Sequence, residues 1–298
     1  MNRKVAVVMG SDSDFAVMKT MIPVLRENNV DYDFRVISAH RTPEIATEFA
    51  KNARQNGYDL IVAGAGMSAH LAGVMAACTG VPIIGVPILS DASGMDGMDA
   101  LHSVIQMPPG IPVATVGIDQ AAGAARLAVK MIGGAQVAEG AQCVLLLTNG
   151  ATGAADVEKT AKVLDAYGIR WVAADINGAV NDGASVMINL SDASVAGLAS
   201  FRSSAAGAVV IEVLRKAATN GFNDTSDKVY QQTQAADGIA FAGVHAYQNA
   251  AHMAARVFGI HSPQMYGLVV SEHAKLAAAV IEKDAKLRKE VDEGKRLD

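Results

Sequence analysis

VAVVMGSDSDF, residues 5–15, sets the reading of this chain. Five apolar residues form a buried strand, and Gly10 then turns the chain into a polar lip of two serines and two aspartates. The lip opens a helix over residues 14–28, with Met18, Met21, Ile22 and Leu25 at helical spacing. The same pitch continues: strands at 32–37, 60–63, 82–86 and 113–116, and helices at 43–56, 68–78, 99–105 and 121–132. Thr42-Pro43 supplies a cap and a first-turn proline to the second helix. Strands alternating with helices predict a parallel sheet covered on both faces, a three-layer α/β domain of flavodoxin-like or Rossmann-like kind. The first domain is expected over residues 1–133, with GGAQVAEG (133–140) as a linker and a second domain over 141–298.

The second half reads as a diverged tandem repeat of the first. CVLLLTNGATG falls beneath AVVMGSDSD with Asn149 under Gly10, so that Gly150 and Gly153 replace Ser11 and Asp14. Residues 238–260 echo 59–81, which sets His252 near His70, and residues 266–287 echo 113–132. The closing helix, 274–292, carries Leu276, Val280, Leu287 and Val291 on one side, the pattern of ordinary terminal packing.

Composition narrows the function. Half the 298 residues are hydrophobic, enough for a sizeable core. The net charge of -5 is spread out, and no Lys/Arg block offers a nucleic-acid or membrane surface. Two cysteines, Cys78 and Cys143, make a disulfide framework unlikely and fit a cytoplasmic setting. The seven histidines are scattered without metal-ligand spacing, and no GxSxG or P-loop is present.

Three stretches at the C-terminal ends of the expected strands carry the chemistry, at the edge where open parallel sheets bind ligands. In GSDSD, backbone N–H groups and Ser11 favour a phosphate and Asp14 suits ribose hydroxyls, while simple helix capping explains the same residues. Ser38-Ala39-His40-Arg41 brings a proton-transfer group beside a phosphate-binding fork, or forms a solvated loop. In AGAGMSAHL (63–71) the glycines allow close backbone approach, and His70 either serves the site or packs and caps. The residues alone suggest a cofactor-free acid/base enzyme acting on a phosphorylated small molecule.

Taken together, VMGSDSD, VISAHRTP, AGAGMSAHLAGVMAA and SVIQMPPGIPVATVGI closely resemble the N5-carboxyaminoimidazole ribonucleotide mutases, the catalytic-subunit type of phosphoribosylaminoimidazole carboxylase. The resemblance spans about residues 4–133. Its AHL and QMPPGIPV stretches are similar to the bacterial mutase class, not to the class that carboxylates aminoimidazole ribonucleotide directly with CO2. It implies an isomerase of purine biosynthesis with no cofactor and no metal. By the resemblance, Ser11 and Asp14 bind phosphate and ribose, Ser38 and Ala39 bind substrate from the second loop, Arg41 holds the 5′-phosphate, His40 carries the proton, and His70 is a second catalytic residue. Gly64, Ala65, Gly66, Ser68, Ala69 and Leu71 would line the CO2 pocket beside His70. The partners implied are a ribonucleotide, CO2 and copies of the same chain, four two-repeat chains imitating an octamer. Direct carboxylation is the alternative reaction, and a nucleotide-binding regulatory role is the alternative for the second half, where Arg202 is the nearest counterpart of the histidine-arginine loop.

Overall fold

The structure, a computed structural model, describes residues 3–134, 142–176, 184–192, 208–216 and 222–293. The first half runs β1 (Lys4–Met9), a 3-10 turn (Asp12–Asp14), α1 (Phe15–Met18), α2 (Met21–Glu27), β2 (Asp31–Val36), α3 (Pro43–Asn52) and β3 (Leu60–Gly66). It continues through α4 (Leu71–Ala76), β4 (Ile83–Ile88), α5 (Met98–Ile105), β5 (Ala114–Thr115) and α6 (Ala121–Gly134). The second half adds β6 (Cys143–Thr148), α7 (Ala154–Ala166), β7 (Arg170–Asp175), β8 (Val186–Asn189) and β9 (Val209–Leu214). After these come α8 (Phe222–Ala235), β10 (Ala240–Val244), α9 (Tyr247–Gly259) and α10 (Pro263–Asp292). Arg202 and most of the expected linker lie outside the described residues.

Alternation along β1 builds the layers. Val5, Val7 and Met9 enter one hydrophobic cluster with Met21 and Leu25, whereas Ala6 and Val8 enter another with Ala46 and Ala50. Side chains two apart share a face, so helices must cover both faces of this strand. The single helix expected over 14–28 is broken at Lys19–Thr20. Pro23 has no N–H to donate, and its ring crowds the carbonyl four residues back, at Lys19.

All ten strands join one sheet in the order β2-β1-β3-β4-β5-β10-β9-β8-β6-β7. Every neighbouring pair is parallel except β5 with β10, which meet antiparallel at Thr115 and Phe241. The fully parallel expectation therefore fails at the centre, and the strands of the two halves end on opposite edges of the sheet. Each half has the same internal order, second-first-third-fourth-fifth. Asp119 and His245, both with left-handed backbone (φ 59° and 54°), stand two residues before α6 and α9.

This topology corrects two of the three sequence echoes. β10 occupies the fifth strand position rather than the third, so His252 corresponds to no residue near His70. Residues 263–292 form one helix with no strand at all. Ser262 accepts the Met265 N–H at 3.0 Å and Pro263 opens the first turn, which commits the apolar run after Tyr266 to a helix. The far part of that helix also departs from ordinary packing: Val280 is 65% exposed and Ile281 70%. Charged pairs one turn apart, such as Arg288 with Asp284, accompany it instead.

The central junction contains a built-in cost. Thr115 is fully buried, and its hydroxyl has no hydrogen-bond partner among the described residues. Removing an unpaired buried hydroxyl while keeping the branched shape is favourable. Thr115→Val should raise unfolding free energy by about 1 kcal/mol. Urea denaturation checks this, and a loss of stability would show that the hydroxyl is satisfied.

Candidate active site

Two backbone bonds extend the pairing of β1 past its end. Ile37 N–H donates to Met9 O at 2.8 Å, and Gly10 N–H donates to Gly64 O at 3.1 Å. The loops after β1, β2 and β3 are thereby drawn to one edge. Together they enclose an open cavity of about 710 Å³.

In the first loop, Ser11 is extended and caps the turn that follows. Its N–H donates to Asp14 Oδ2 at 3.0 Å, and its Oγ accepts the Ser13 N–H at 3.4 Å. Capping is present, and the capping residues also face the cavity. Asp14 is half-buried, and this desolvation, ahead of the N–H bonds that oppose it, raises its pKa above the ordinary carboxylate value.

The second loop is locked by its own polar groups. Ser38 Oγ accepts the Arg41 N–H at 3.2 Å, and Thr42 Oγ1 donates to Ser38 O at 2.9 Å. From this base Arg41 reaches across to the first loop, donating from Nη2 to Gly10 O at 3.0 Å. His40 leans the other way. Its Nε2 lies 3.0 Å from Nδ1 of His70, with the rings nearly perpendicular at 86°. A hydrogen bond at this distance places one proton between the two nitrogens, with one ring donating and the other accepting, so each ring constrains the other's tautomer.

The third loop differs from its sequence reading. β3 continues to Gly66, and α4 starts only at Leu71, not at residue 68. Met67 has φ 54°, and the N–H groups of Ala69 and His70 bond to Met67 O and Ser68 O, which delays the helix. His70 stands at the helix entry without a side-chain capping bond, and His40 takes its ring nitrogen instead. The glycines have a packing role as well. A Cβ on Gly64 would lie 2.5 Å from Met18 Sδ, and one on Gly66 would lie 3.0 Å from Ile88 O.

Of the residues singled out in the sequence, Ser11, Asp14, Ser38, Ala39, His40, Arg41, Ala65, Gly66, Ser68, His70 and Leu71 line the cavity. Gly64 lies behind the wall, where its carbonyl anchors Gly10, and Ala69 is buried in the core. Gly10, Ser13, Met67 and Ser90 complete the lining, and Ser90, past the end of β4, lies outside the three stretches singled out in the sequence. Its place at the C-terminal end of a strand was the available signal.

Comparison with known proteins follows this geometry. Residues 4–145 match the AIR carboxylase family. The N5-carboxyaminoimidazole ribonucleotide mutase of Pyrococcus abyssi is 57% identical over 129 residues, covering 43% of this chain and 73% of that protein. The chain belongs to the AIR carboxylase family. A second relative of this family, the mutase of Haemophilus influenzae, is 51% identical over 44% of this chain and 80% of its own length. A crystal structure of Treponema denticola PurE2-S38D aligns at 30% identity over 43% of this chain and 78% of that chain, with a TM-score of 0.38.

The AIR carboxylase match ends at residue 145, and the second half treats its corresponding crevice differently. By strand order, the gap between the ends of β6 and β8 is the counterpart of the cavity beside β1 and β3. Arg215 crosses it, donating to Ala151 O and Leu190 O at 2.9 Å each and pairing with Asp156 at 3.2 Å. Thr152 Oγ1 adds a bond to Leu190 O at 3.2 Å.

The raised pKa of Asp14 has a testable sign. A carboxyl whose folded pKa is raised binds its proton more tightly in the folded chain, so its charge costs stability at neutral pH. That cost fades as the pH falls through the ordinary carboxylate range. Asp14→Asn keeps an oxygen for the Ser11 N–H and should melt at or above the wild-type temperature at pH 7. The advantage should shrink by pH 4, and thermal melts at the two pH values that show it growing would contradict the burial effect.

Proposed function

We propose that the first half interconverts N5-carboxyaminoimidazole ribonucleotide and 4-carboxy-5-aminoimidazole ribonucleotide, a step of purine biosynthesis. The observation that carries this reading is the His40–His70 pair, 3.0 Å apart in an open cavity that also presents Ser11 and Arg41. The mutase relatives support the choice of substrate.

Each step has a group suited to it. Arg41 and Ser11 take the 5′-phosphate, Arg41 through a planar fork of donors. Asp14 accepts from the ribose hydroxyls. His40 gives its proton to N5 of the carbamate. The N–C bond then breaks, its electron pair stays on nitrogen, and CO2 leaves. Ala65, Gly66 and Leu71 hold the CO2 close to the ring among small and apolar groups, which keeps the recombination intramolecular in effect. C4 attacks the CO2 carbon to form the new C–C bond. His40 removes the C4 proton and restores aromaticity, so one proton is lent and one returned. His70 holds the His40 ring in line and shares that proton.

The second half, in this reading, is a silent tandem repeat. The repeated strand order, the paired left-handed residues Asp119 and His245, and the crossing of its crevice by Arg215 support this.

Two measurements test the proposal. With the carbamate substrate, His40→Asn should lower kcat by about 100-fold or more while the ribonucleotide still binds. Arg41→Ala should act mainly on KM. Faster turnover with aminoimidazole ribonucleotide and bicarbonate than with the carbamate would assign direct carboxylation instead. Calorimetric titration with the product ribonucleotide should give one site per chain, and two sites would mean the second half is not silent.

A further inference from the structure

Arg256 sits on α9, in the second half, yet its two side-chain hydrogen bonds among the described residues cross into the first. It is 2% exposed. Its Nη2 donates to Ala76 O at 3.0 Å, and its Nη1 to Val81 O at 3.5 Å. No ion pair involving it occurs among the described residues. Burial lowers its pKa to about 10, so it remains a cation at neutral pH. Burying a cation without a carboxylate is costly, and carbonyl dipoles offset part of that cost here.

The position of those dipoles gives the arrangement its meaning. Ala76 is the last residue of α4. A helix leaves its final carbonyls without partners, and a guanidinium is suited to satisfy them. Six residues away, at the other end of the same helix, stands His70. His70 O accepts the Val74 N–H at 2.9 Å, so its backbone moves with the first turn of α4. The helix is only about 9 Å long at 1.5 Å per residue, too short to bend between its ends. Leu71, Ala72, Met75 and Ala76 bury one face of it. Those small and apolar contacts hold α4 against the sheet but give little directional control along its axis. The hydrogen bonds from Arg256 are directional, and the one to Ala76 O is made at the end of that axis.

We infer that Arg256 is a positioning residue for the His40–His70 pair, acting from the second half through the C-terminal end of α4. The inference rests on the mutase reading for its effect on turnover. It gives the second half a role in the site without a ligand of its own. The groups that bind phosphate and ribose, Ser11, Asp14 and Arg41, lie on the loops after β1 and β2 and do not depend on α4.

The experiment uses the full chain with nitrogen-15-labelled histidine and the variants Arg256→Met and Arg256→Lys. Methionine fills the space but leaves both carbonyls without a donor, whereas lysine keeps the charge and reaches one of them. Turnover should fall about tenfold with methionine and less with lysine, and KM should change less than about twofold. The ring-nitrogen signals of His40 and His70, assigned with His70→Asn, should shift in both variants. Unchanged His40 and His70 signals in a folded variant would overturn the inference, even where the melting temperature drops. If the methionine variant does not fold, the lysine variant decides by the same signals. Those signals are read without substrate, so a wild-type chain with no carbamate turnover would remove the proposed function and leave the positioning of His70 separately testable.

Discussion

The candidate site depends on the pairing of β1 with both its neighbours one residue beyond its own end. The bonds from Ile37 to Met9 and from Gly10 to Gly64 are ordinary backbone hydrogen bonds. Their effect is geometric. Parallel strands end at a common edge, so residues far apart in sequence meet there: His40 with His70, and Arg41 with Gly10. An antiparallel arrangement of the same segments would send alternate loops to opposite edges, as the central β5–β10 junction does. That junction separates the two halves' strand ends, and the edge formed by β1 and β3 carries the open cavity.

The three loops were legible from the sequence because their signals are local. A buried apolar run followed by Gly-Ser-Asp, or a Thr-Pro entry to a helix, fixes the backbone within a few residues. The relation between loops was not legible. Nothing in SAHR says that the His40 ring turns toward His70 while the Arg41 guanidinium turns back to Gly10. Those choices appear only once the loops are assembled, with β3 paired to β4 as far as Gly66 and Ile88. Gly64 was read as room for a ligand, but its missing Cβ is room for Met18. Glycine signals close approach, and the sequence does not say of what.

The second half shows why compositional likeness is a weak guide to register. Ala- and Gly-rich strand-helix units resemble one another wherever they occur, so the segment around β10 could be laid on β3 as readily as on β5. Hydrogen bonding in the sheet admits only one of these, with β10 in fifth place. The run after Tyr266 is laid on the strand at 113–116 by the same likeness, and a cap commits it to a helix instead.

The contrast between the two crevices follows from what each does with an arginine. In the first half, Arg41 makes a single bond across the loops and stays exposed, and Asp14 keeps a charge that burial disfavours. In the second half, Arg215 reaches two carbonyls and a carboxylate at once, tying the loops after β6 and β8 together. A crevice stitched in this way gains stability and leaves its arginine committed. One left open carries desolvated and exposed polar groups whose partners must come from outside the chain, which is the condition for binding. The second half in turn contributes Arg256 to the far end of α4, so the open crevice is held in shape by bonds made where no ligand reaches.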